Sequence, residues 1–176
     1  DHPQSFSYHE PWWEAYHVNA GYLARLSCAL SQGEQINRVL VIEPTTTAWM
    51  YQGNEAKLKE LGDAFFKLLL ALETAQVEYD LGCEDVIANH GAVKGKEFIV
   101  GRRSYRTVIV PPLTENLNRR TQELLTSFRK AGRVECAPGL NRTDGQLSQD
   151  GSSSPAASAK PIVADQLAAM LQPTLA

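Results

Sequence analysis

The sequence predicts an α/β fold: a three-layer α/β/α sandwich built on a mostly parallel sheet. Three observations carry this. The run Val39–Ile42 is apolar and β-branched without alternation, as strands covered on both faces are, and Tyr105–Val110 is a second strong strand ended by Pro111-Pro112. Long stretches between them place apolar residues at the three-and-four spacing of a helix. Strand-like and helix-like segments then alternate along the chain, the order that generates crossovers around a parallel sheet.

Taken in order, Asp1 to Trp13 is an irregular, aromatic lead-in with Phe6, Tyr8, Trp12 and Trp13. So much ring surface in a proline-containing segment reads as resting on something else, and the chain as an excised piece of a longer polypeptide. Glu14 to Gln32 predicts a helix with Ala15, Val18, Tyr22, Leu23, Leu26, Ala29 and Leu30 close to one face and Gly33 as its cap. The strand Val39–Ile42 follows, ended by Pro44 and a turn at Thr45-Thr46-Thr47. Asn54–Gln76 predicts the second long helix, then a strand at Val77–Leu81 and one or two helical turns at Glu84–Asn89. Gly95-Lys96 punctuates the stretch from Ala92 to Val100, a small hairpin or an edge excursion. After the strand Tyr105–Val110, Thr114 is the expected N-cap of a helix reaching Lys130, with Leu117, Leu124, Leu125 and Phe128 inward. Val134–Ala137 is a short strand. Gly139–Lys160 is too polar to order itself and reads as a mobile loop. Pro161 opens a last amphipathic helix through Val163, Leu167, Met170 and Leu171. All 176 residues read as one domain.

Composition excludes several function classes. A formal charge of -3 and a pI near 5.8 offer nucleic acid or an anionic membrane no electrostatic footing. Arg102-Arg103 and Arg119-Arg120 are solvated pairs. No apolar run reaches the ~18 residues needed to cross a bilayer. Three cysteines without a CxxC spacing support neither a disulfide framework nor a zinc site.

Ligands of open parallel sheets lie beyond the carboxyl ends of the strands. Glu43, Thr45, Thr46 and Thr47 therefore form the candidate ligand-binding loop. Its hydroxyls and N–H groups suit a phosphate, as in flavodoxins, although the loop lacks a glycine and Pro44 removes a donor. Capping of a following helical turn is the plainer reading. The second loop, Pro111-Pro112-Leu113-Thr114, stands where an amidotransferase would hold its cysteine on a strained elbow. Prolines and a leucine occupy it, and no thiolate, base and orienting acid come together. His2, His9, His17 and His90 are scattered, and Glu84-Asp85 suits a helix N-terminus better than paired acids. Trp12, Trp13 and Trp49 suit either a sugar platform or, more strongly, a domain contact.

Pro11-Trp12-Trp13, Tyr22–Ser27, Leu30–Gly33, Val39–Thr45, Tyr79-Asp80, Tyr105–Pro112 and Phe128–Gly132 together resemble a known domain. The order and spacing are similar to the class I glutamine-amidotransferase-like domain of large glycoside hydrolases, notably the family 106 α-L-rhamnosidases. More distantly they resemble the trimerisation domain of family 42 β-galactosidases. The resemblance implies a flavodoxin-like or amidotransferase-like fold with no catalytic residue and no cofactor. It implies a catalytic barrel in the same parent chain, homo-oligomer contacts and a nearby carbohydrate as partners, and a secreted or periplasmic parent. Phe6, Tyr8, Trp12, Trp13 and Trp49 would make the interdomain or subunit contact.

Overall fold

The computed structural model describes residues 7–136 and 139–147. Phe6, His2, most of the Gly139–Lys160 stretch and the helix expected from Pro161 lie outside the described residues. The chain separates into two compact units, residues 1–36 and 37–176.

In the first unit a 3-10 turn, Trp13–Ala15, runs into helix α1, Tyr16–Leu30. The expected helix is present, and Gly33 beyond it takes a left-handed backbone, φ +82°. Its apolar side is not covered, however. No α1 side chain is buried, and Val18 and Leu30 are 65% and 77% exposed. Periodicity dictates a helix and the side it buries, but not what covers that side.

The second unit is mixed α/β. Strand β1, Val39–Ile42, leads to helix α2, Thr45–Met50, then α3, Glu55–Thr74, and strand β2, Tyr79–Gly82. Helix α4, Glu84–His90, precedes a meander of β3, Gly91–Lys94, β4, Glu97–Val100, and β5, Arg103–Tyr105. Strand β6, Thr107–Val110, is followed by β7, Asn116–Leu117, helix α5, Arg119–Phe128, and β8, Arg133–Cys136. The short strands β9, Arg142–Thr143, and β10, Gln146–Leu147, complete it.

Four strands form one sheet in the order β2-β1-β6-β8, each neighbour parallel. Alternate residues of β1 and β6 enter different cores. Val39, Val41 and Ile109 pack with Leu68 and Leu72 of α3. Leu40, Ile42, Val108 and Val110 pack with Ile87, Leu124, Leu125 and Phe128 of α4 and α5, and with Phe98 of the meander. Both faces of these strands are apolar for that reason.

Four local expectations are revised. A helical turn does follow β1, but Thr45–Thr47 are its first residues rather than its caps. Thr114 does not cap α5: its hydroxyl donates to Pro111 O at 2.8 Å, and Asn118 caps instead, its side chain accepting from Thr121 N. Leu117 accordingly lies on β7. The run Tyr105–Val110 is broken at Arg106, so Tyr105 belongs to the antiparallel meander and Thr107–Val110 to the parallel sheet. Finally, residues 139–147 are not wholly loop. Leu140 is buried, and β9 and β10 pair across Asp144-Gly145. Both turn residues have positive φ, 50° and 78°, the hairpin-turn geometry that an Asp-Gly pair favours.

Candidate functional site

Strand order reverses at β1: the chain passes to β2 on one side and later returns to β6 on the other. The loops after β1 and β6 thus meet at the crevice where such sheets hold ligands. Here the crevice is occupied by the protein's own polar side chains. Glu84, the first residue of α4, is 2% exposed. Its Oε1 accepts from Thr46 N at 3.1 Å and Thr46 Oγ1 at 2.7 Å, and its Oε2 accepts from Asn118 N at 2.8 Å. Asn118 Nδ2 donates back to Glu84 O at 3.2 Å. The start of a helix favours a carboxylate, and three donors satisfy it out of water.

Thr47 completes the plug. Its buried hydroxyl accepts from Glu115 N and Asn116 N at 3.1 and 2.9 Å and donates to Asn116 O at 2.9 Å. Asn116 Oδ1 accepts from Gly145 N at 2.8 Å, which ties the β9–β10 hairpin to the same cluster. Tyr51, just beyond α2, donates to Glu115 Oε1 at 2.8 Å. That bond, then burial, raises its phenol above the ordinary tyrosine range.

Of the four candidate ligand residues, Thr46 and Thr47 therefore spend their hydroxyls inside the protein. Thr45 and Glu43 are half-buried, joined through the backbone by Thr45 N to Glu43 O at 2.8 Å. Asn116, Asn118, Glu115 and Tyr51 were not singled out in the sequence. An asparagine just before the helical period of Leu124, Leu125 and Phe128 was the available signal for Asn118. Nothing local marks the others, whose partners lie about 70 residues away in sequence.

Where an elbow would hold a nucleophile, Leu113 has φ +63°, a left-handed backbone that leucine rarely adopts. The strain is present and the nucleophile is not. Cys136 is buried, and desolvation pushes its thiol up to about 11, far from a thiolate at neutral pH. Cys83 precedes α4 and Cys28 is exposed on α1. Among the described residues no three His, Cys, Asp or Glu side chains are grouped to hold a metal, and no helix is long and apolar enough to cross a membrane. His9, His17 and His90 are exposed, on separate elements.

The aromatic candidates stand outward. Tyr8, Trp12, Trp13 and Trp49 are all exposed, Trp49 by 64%. Trp13 stacks on Tyr16 with ring centroids 5.8 Å apart and planes 5° from parallel. Trp12, Ala15, Tyr16 and Asn19 line an open hollow of about 340 Å³. No protein-family model, curated protein or solved structure matches the chain.

Proposed function

We propose that the chain is a non-catalytic accessory domain of a carbohydrate-active enzyme, a glycoside hydrolase of α-L-rhamnosidase type. In this reading it is a three-layer, amidotransferase-like sandwich that supports a catalytic barrel or subunit contacts. The observation that carries the reading is the filled crevice. Glu84 accepts from Thr46 and Asn118, and Thr47 bonds the Asn116 backbone, where a substrate would sit. Leu113 supports it, holding the backbone of an elbow without a group able to attack a carbonyl. Exposed Tyr8, Trp12, Trp13 and Trp49 support a contact role, since rings of this size are ordinarily covered.

The test is turnover. The purified chain is expected to hydrolyse neither glutamine nor an aryl α-L-rhamnoside, and joined to its barrel it should show blue-shifted, less quenchable tryptophan emission. Hydrolysis lost on changing one residue of this chain would overturn the proposal. A second reading, sugar binding, is favoured by the hollow beside Trp12 and Tyr16. Fluorescence titration with rhamnose checks it, and a flat response removes it.

A further inference from the structure

The end of the parallel sheet opposite the filled crevice gathers positive charge. Arg38 directly precedes β1, Arg106 directly precedes β6, and Arg133 opens β8. They are neighbours through the backbone: Arg106 N–H donates to Arg38 O at 2.9 Å, and Arg133 N–H to Arg106 O at 3.4 Å. Arg106 and Arg133 line an open hollow of about 420 Å³ together with Lys96, Glu97, Ala131 and Gly132. Lys96 comes from the turn between β3 and β4, so the meander and the parallel sheet both contribute to the wall.

The nearby carboxylates do not account for these cations. Glu135 accepts from Arg133 Nε at 2.6 Å, and Asp80 is taken up by Asn37 and Tyr105. The side chains of Lys96 and Arg106 make no hydrogen bond or ion pair among the described residues. Glu97 is the one carboxylate among the lining residues. Ala131 N–H and Gly132 N–H both donate to Phe128 O, so recognition in the hollow falls to the side chains. Like charges gathered at a concave surface repel one another and focus their field on whatever anion enters. The overall balance does not produce this concentration, since the chain carries a formal charge of -3.

We propose that this hollow binds a phosphate group, free or carried on a small molecule. Three cations against one carboxylate match a dianion, and the planar fork of an arginine fits two phosphate oxygens at once. Lys96 adds a point charge on a flexible stem from the opposite wall. The volume lies within the range of roughly 300–1,000 Å³ that small-molecule sites occupy. The site is separate from the crevice around Glu84, and its failure would leave the expected lack of turnover untouched.

The test is isothermal titration of the 176-residue chain with inorganic phosphate and with glycerol phosphate in low-salt buffer. Saturable binding of one phosphate per chain is expected. Arg106→Gln should weaken it about tenfold and Lys96→Gln about threefold, whereas Glu97→Gln should strengthen it about threefold. Arg120→Gln makes the same change of charge at the far end of α5 and should leave binding unchanged. Tighter binding of glycerol phosphate would make the source a phosphorylated small molecule, and equal binding would make it the free ion; both support the site. Absence of saturable binding by either probe would overturn the proposal. So would an Arg120→Gln loss as large as that of Arg106→Gln, which reports only the charge of the whole chain. An Arg106→Gln chain that binds phosphate as before but unfolds more readily would likewise overturn it and give the arginine to the fold.

Discussion

At the scale of single residues, Glu84 has the largest consequences. Its carboxylate is the common acceptor for three donors from two distant stretches, Thr46 and Asn118. Glu84→Ala would take the acceptor from Thr46 N and Asn118 N, at a side chain only 2% exposed. We expect a loss of about 3 kcal/mol, read from urea unfolding. Glu84→Gln keeps one acceptor and should cost less. Tyr105 gives a pH-dependent counterpart. Burial first, then its 2.8 Å bond to Asp80 Oδ2, holds its phenol well above the ordinary range. A raised folded pKa means the folded state keeps a proton that the unfolded chain releases above about pH 10. The stabilisation is therefore complete below that pH and is lost as pH rises beyond it. Tyr105→Phe should be less stable than the parent at neutral pH, and its stability should fall less steeply between pH 10 and 11.5.

At the scale of elements, α5 illustrates how packing constrains sequence. Phe128 meets Phe98 of the meander edge-to-face, with centroids 5.4 Å apart. Gly132 lies so close beneath it that an added Cβ would sit 2.1 Å from the Phe128 ring. Gly132→Ala should therefore displace that ring and cost about 2 kcal/mol of stability, measured as a lowered unfolding midpoint. Helices and strands with a strong period were legible from sequence: β1, α3, the β3–β4 hairpin and α5 stand within a few residues of expectation. The lapses have local physical causes. Tyr105 and Thr107 share a β-branched and aromatic run, and only the crossing at Arg106 assigns them to different sheets. Asn118 outcompetes Thr114 as a cap because Thr114 lies upstream of β7 and turns back to Pro111. The β9–β10 hairpin rests on Asn116 and Gln122, a support invisible in its own polar composition. The candidate site was legible only in position. The loops after β1 and β6 do meet, but whether a crevice is open or filled depends on contacts between residues far apart in sequence.

At the scale of the whole molecule, the two compact units differ in kind. Residues 37–147 build two apolar cores on either side of a parallel sheet. Residues 7–36 form a helix with no buried side chain. Amide exchange should reflect this: β1 and β6 should be protected to the limit of global unfolding, and α1 should exchange far sooner. The plug around Glu84 bears on how the protein is made. Its components arrive in the order Thr46, Glu84, Asn118, so a nascent chain released before Asn118 carries a carboxylate without its full complement of donors. Truncations ending ahead of α5 should stay protease-sensitive on the ribosome. Resistance should begin only once the chain past β8 has left the exit tunnel, so Thr46 and Glu84 wait, unsatisfied, for a partner made much later.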